Sequence, residues 1–185
     1  MNVIRNAAYL GRSCSKVISH HQQRFYESAA EALASESQDL SELIGAKLEA
    51  AWLATDSDGN WFNDEPVLLQ FANRRQLEIG VYQVGLLALT WDTVDTNSPA
   101  NWLGCWSQDL KWQLAATKPW ASVFQQQVQQ IQLVDYDSDF GRGAFGVQFH
   151  FDSGQHLLVY NALDELGVDT TPVAGREYHL HPVTA

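Results

Sequence analysis

Six histidines and two runs of alternating aspartates are the residues of this chain whose types could do chemistry. In His179-Leu-His181 two imidazoles stand two residues apart, which on a strand puts both on one face. His150 and His156 flank what reads as a hairpin turn. Such rings could begin a metal site or move a proton near neutral pH. Spacing fixes no third ligand, however, and neither HExxH nor a paired CxxC occurs, so these are read as solvent-facing strand histidines, with no metal and no cofactor expected. Cys14 and Cys105 are far apart, without a second Cys or a His at ligand spacing. They are read as free thiols in a reducing compartment.

The aspartate runs raise the question of calcium. With Gly59 at the sixth position of an EF-hand loop, Asp56 falls at three, Asp58 at five and Glu65 at twelve, but the first position is Ala54 and Pro66 stands where a helix should follow. The second run, Asp135-Tyr-Asp-Ser-Asp139, has Phe140 in place of the glycine. Both are read as solvated turns, or as an acidic surface presented to a partner. Asp164 and Glu165 could pair as acid and base, yet Asn161 as a helix N-cap with Asp164 at the third helical position explains them more simply. G-x-S-x-G, a P-loop and G-x-G-x-x-G are all lacking, so the expectation leans away from an enzyme.

Charge narrows the partners. Twenty-two acids against 11 Lys and Arg give −11, which repels phosphate backbones and anionic lipid. Nucleic acid and membrane are not expected; a basic protein fits. The polarity is uneven: Arg5, Arg12, Lys16 and Arg24 all precede the first acid, Glu27. That opening fits an organelle-targeting peptide, or an amphipathic helix that docks on the acidic body, most secure over 19–34. A secretory signal fits less well because cations interrupt the apolar residues, and no run reaches membrane-spanning length. The expected location is cytoplasmic.

The elements that would position these residues show a repeat. Val147, Phe149 and Phe151 alternate with polar residues, Asp-Ser-Gly reverses the chain, and Leu157 and Val159 resume the alternation. Val67, Leu69, Phe71, Leu77 and Ile79 match them at a constant separation of 80. At the same separation Leu48 falls on Val128, Ala51 on Ile131 and Leu53 on Leu133, so strands are expected in both copies, starting near Ser41 in the first. Val84 to Trp91 reads as a further buried strand. Five of the seven tryptophans, Trp91, Trp102, Trp106, Trp112 and Trp120, lie between the copies and are read mainly as core. Pro99 is read as opening a short helix through Leu110.

The expected fold is α+β: an N-terminal helical segment over 1–40, then a duplicated β-rich domain over 41–185. Its first half is 41–95, its Trp-rich connection 96–120 and its second half 121–185. The two related antiparallel meanders are expected to form one curved sheet or a half-open barrel. The leading functional reading is a non-enzymatic module that engages a basic protein, as small acidic immunity or inhibitor proteins engage cationic toxins. Asp56, Asp58, Asp135, Asp137 and Asp139 would face that partner. The alternative is a small-molecule binder or enzyme with a pocket between the halves, lined by Trp102, Trp106, His150, His156 and His179.

Overall fold

The computed structural model describes residues 24–83, 85–100, 110–138, 141–163 and 165–184. The chain order is β1 (Phe25–Tyr26), α1 (Ala29–Ser41), β2 (Leu48–Thr55), β3 (Val67–Phe71), β4 (Gln76–Val81), β5 (Leu87–Trp91) and β6 (Lys111–Leu114). A 3-10 turn at Trp120–Ser122 follows, then β7 (Val128–Ser138), β8 (Gly141–Phe151), β9 (His156–Asn161), β10 (Leu166–Asp169) and β11 (Tyr178–Pro182). The structure is mostly strand, with one α-helix among the described residues.

Two antiparallel sheets form, ordered β1-β5-β4-β3-β2-β6 and β10-β9-β8-β7-β11, and neither closes into a barrel. This departs from the expected single curved sheet. Each meander returns its last strand to its own first one, β6 onto β2 and β11 onto β7, and these pairings occupy the edges through which the meanders could have merged. The sheets instead share one core. Val67, Leu69, Phe71, Leu77 and Ile79 face it from the first, and Val147, Phe149, Phe151, Leu157 and Val159 from the second. The rings of Phe71 and Phe149 meet at 6.2 Å, a contact worth about 0.5–1.5 kcal/mol beyond the area it buries.

Residues 80 apart in sequence occupy like positions in the two ladders. Val67 pairs with Ile79 and Leu69 with Leu77, as Val147 pairs with Val159 and Phe149 with Leu157. Register irregularities fall between Leu48 and Ala50 in β2 and between Val128 and Gln130 in β7. Positive φ recurs at Gly45 and Gln125, at Arg74 and Gly154, and at Gln83 and Leu163. The two segments also bond to each other reciprocally. Gly45 N–H donates to Val128 O (2.8 Å) and Gln125 N–H to Leu48 O (2.7 Å); Leu48 N–H donates to Gln126 O (3.1 Å) and Val128 N–H to Ala46 O (2.9 Å).

The helix starts later and runs further than the periodicity predicts. Phe25 and Tyr26 are drawn into pairing with β5, and Ser28, extended at φ −150°, caps the helix by accepting Glu31 N–H at 3.2 Å. The helix-favouring run from Ala29 then continues to Ser41, so strand begins only at Leu48. Ala29, Ala32 and Leu40 are buried in the shared core, which makes α1 part of the body; a boundary at residue 40 falls inside it. The part of the expected helix before residue 24 lies outside the described residues, as does most of the expected helix after Pro99.

Candidate functional site

The second sheet's core face carries a cluster of ionisable groups where β7, β8 and β11 run past the packed core. A register shift at Val134/Asp135 leaves Phe145 unopposed and keeps Asp135, opposite Ala144, on the core face. Asp135 is 2 % exposed; one carboxylate oxygen accepts Ala29 N–H at 2.5 Å, at the start of α1, and the other meets His181 Nε2 at 3.0 Å. A carboxylate there satisfies a backbone donor left open by the helix and sits at the positive end of its dipole. Two residues on, Asp137 meets Arg142 Nε at 2.7 Å and His179 Nε2 at 2.8 Å. Its carboxyl is held down at about 2, first by Arg142 and then by His179.

These positions correct the reading of Asp135-Tyr-Asp-Ser-Asp139 as a solvated loop. Asp135 and Asp137 belong to β7, and Asp135 is buried and bonded, so it offers no charge to solvent. Asp139 lies outside the described residues. The alternation of acids at every second position is itself the period of a strand face, and the long β7–β8 hairpin carries that alternation past the end of the core. His179 and His181 do share a face, and each is paired with a carboxylate. Asp135 thus links His181 to the start of α1, and Asp137 links His179 to Arg142.

His150 and His156 are direct cross-strand partners with ring centroids 4.6 Å apart. Gln132 Oε1 lies 2.8 Å from His150 Nε2, Gln148 Nε2 lies 2.7 Å from the same ring atom, and Gln148 Oε1 accepts Val173 N–H at 2.8 Å. Burial pushes the His150 pKa down, and neighbouring His156 adds to the effect. This group lies on the face of the second sheet away from the core, whereas His179 lies on the core side, so the structure does not gather the three histidines expected in one pocket. Trp102 and Trp106 lie outside the described residues. Trp112 and Trp120 are buried; Trp91 is half-buried beneath Arg75, which also pairs with Asp39, Glu42 and Asp92.

Asp56 and Asp58 occupy one tight turn after β2. Asp56 accepts Asp58 N–H and Asn60 N–H, both at 2.9 Å, and its pKa is lowered chiefly by the Asn60 side chain. The turn is therefore a self-contained aspartate turn. Among the described residues no three His, Cys, Asp or Glu side chains gather in a metal-binding arrangement, and no helix is long and apolar enough to cross a membrane. The expected helix cap at Asn161 is replaced by a sharp bend with Leu163 at φ 65°, from which the chain re-enters the sheet as β10. One surface hollow is bounded by Lys118, Gln155 and Asp169, and another by Ser57, Asn97 and Trp112. Neither is lined by His150, His156 or His179.

Sequence reading missed two features. Glu78, fully buried on the outer face of the first sheet, accepts Thr93 N–H (2.6 Å) and Val94 N–H (2.7 Å) and so fixes the turn after β5. Tyr136, Phe145, Tyr160 and Tyr178 gather on the outer face of the second sheet. The alternation of Tyr160 with core-facing Val159 and Asn161 was a usable signal for that face. No family model matches the sequence, and no curated protein or solved structure shows a significant match to it, so the chemistry of the site rests on its own geometry.

Proposed function

We propose that this chain is a non-enzymatic acidic module that binds a basic protein, in the manner of an immunity or inhibitor protein. One observation carries the reading: a net charge of −11 borne by a chain whose Arg75 and Arg142 are already engaged by its own carboxylates. Acids such as Glu27, Glu31, Glu49 and Asp58 are exposed. A field of that sign attracts cationic partners and repels nucleic acid and anionic membrane. Among the described residues of the expected interface, solvent reaches Asp56, Asp58 and Asp137, whereas Asp135 is buried.

The two sheets are inferred to descend from one duplicated unit. The shared 80-residue separation of ladder partners, irregularities and positive-φ positions supports this, as do the reciprocal hydrogen bonds around residues 45–48 and 125–128.

Affinity capture from native lysate at low and high salt, read by mass spectrometry, tests the functional reading. Basic proteins released by salt are expected. Acidic or neutral proteins held at high salt, or a co-purifying small molecule, would overturn it.

A further inference from the structure

Four aromatic rings form a continuous cluster across the outer face of the second sheet, one from each of four adjacent strands. Tyr178 of β11 lies 5.1 Å from Tyr136 of β7, Tyr136 lies 5.5 Å from Phe145 of β8, and Phe145 lies 5.0 Å from Tyr160 of β9. The fold makes room for them. The bulge in β8 places the unopposed Phe145 against Tyr136 and Tyr160. On β10, a Cβ at Gly167 would come within 2.4 Å of the Tyr160 ring, so a side chain there would displace it. All four rings are half-buried, Leu180 beside them is 42 % exposed, and the three tyrosine hydroxyls have no hydrogen-bond partner among the described residues.

The first sheet treats its outer face differently. There Leu68 and Ala54 are covered by Val94, Ala100, Leu110 and Trp112, a second small core supplied by the chain that follows β5. The ring cluster on the second sheet is left accessible, and two acids stand at its rim, with exposed Arg176 next to one and exposed Lys118 on the same hollow as the other. Exposed Glu177 adjoins Tyr178, and exposed Asp169 stands two residues beyond Gly167 on the same face. Aromatic faces attract cations, and desolvation strengthens the contact. The molecule already uses it internally, with Arg75 4.9 Å from the centre of the Trp91 ring and Arg24 5.2 Å from that of Tyr26.

We propose that this face is where a basic protein partner docks, with arginine or lysine side chains laid on the rings of Tyr136, Tyr160 and Tyr178 and their charges met by Glu177 and Asp169. The assignment rests on the reading of the chain as a binder of basic proteins and moves its centre from the aspartate turn to a ring platform. Phenol rings hold a cation by their faces, so loss of the hydroxyls is tolerated and loss of the rings is not.

The test titrates the full chain with a tetra-arginine amide peptide at about 0.3 M NaCl, where screening shortens the reach of exposed charges to roughly 6 Å while contact interactions persist. Four proteins are compared: wild type, Tyr160→Phe/Tyr178→Phe, Tyr160→Leu/Tyr178→Leu and Asp56→Asn/Asp58→Asn. At this ionic strength the Phe pair should bind as wild type does, the screened Asn pair no more than about twofold more weakly, and the Leu pair about tenfold more weakly, some threefold to fivefold per ring. If the Leu pair binds as wild type while the Asn pair loses affinity, the platform is refuted and the acidic reading stands. If no protein binds the peptide and a neutral oligosaccharide such as cellotetraose binds in a ring-dependent way, both are refuted. Should the Leu pair prove unfolded by its thermal melt, the wild-type ring-proton resonances decide. Shifts confined to Tyr136, Tyr160 and Tyr178 support the platform; unmoved resonances overturn it.

Discussion

Lys47 and Gln127 bridge to each other as antiparallel partners, and they are separated by the same 80 residues that relate the two hairpins. A bridge between residues at that separation, with reciprocal bonds on either side, has the symmetry that an approximate two-fold axis through the strand starts would give. The same separation identifies positions where one segment carries glycine and the other does not.

Arg74 sits at φ 69° where its counterpart Gly154 has φ 79°, and Gln125 at φ 63° where Gly45 has φ 90°. A left-handed conformation costs a side-chain-bearing residue about 1 kcal/mol. Arg74→Gly and Gln125→Gly, both at exposed sites, should therefore each raise stability by roughly 0.5–1 kcal/mol in urea unfolding, net of glycine's extra chain entropy. Losses of that size at both positions would count against the duplicated geometry.

Glu78 accepts from Thr93 N–H, Val94 N–H and Gln76 Nε2 at one oxygen and from the Thr90 and Thr93 hydroxyls at the other. An amide in its place would retain the first oxygen and face hydroxyls that can turn to accept. Glu78→Gln should cost about 1–3 kcal/mol, and Glu78→Leu clearly more, because that change strands buried backbone donors. Chemical denaturation of the two variants measures both.

Arg75 ties the end of α1 to β5 through Asp39, Glu42 and Asp92, while its guanidinium lies over Trp91. Arg75→Met should cost about 1–2 kcal/mol, since three carboxylates are left facing one another, and part of the loss should be recovered in high salt. Thermal melts at two ionic strengths check this.

Acid should weaken the cluster beside α1 in a defined window. The Asp137 carboxyl titrates at about 2 in the folded chain and near an ordinary aspartate value when unfolded. Its contribution is thus complete above about pH 4 and lost as pH falls through about 2. Carboxyl NMR titration should give that low midpoint, and Arg142→Gln should raise it. His150 has its folded pKa depressed, so its contribution is present above about pH 6.5 and declines below that value as the unfolded chain takes up the proton.

The hairpins were legible because period-two alternation around a turn fixes both register and face, and Phe71 and Phe151 do lie in the shared core. The start of α1 was not, because residues before Ser28 step like a helix but are drawn into pairing with β5. Asp135 was misread because composition outweighed period: an acid suggests solvent, yet here a bulge and a helix start give a buried carboxylate its partners. The aromatic platform was obscured because its rings come from four strands and meet only once the sheet has formed.

The most direct test of the proposed function is the association rate of a captured basic partner with wild type and with Asp56→Asn/Asp58→Asn/Asp137→Asn, across ionic strength. Exposed charges act on encounter, so the variant should stay folded, associate about tenfold more slowly at low salt and show a flattened salt dependence, with dissociation changed about twofold at most. An unchanged association rate and an unchanged salt dependence would contradict the account.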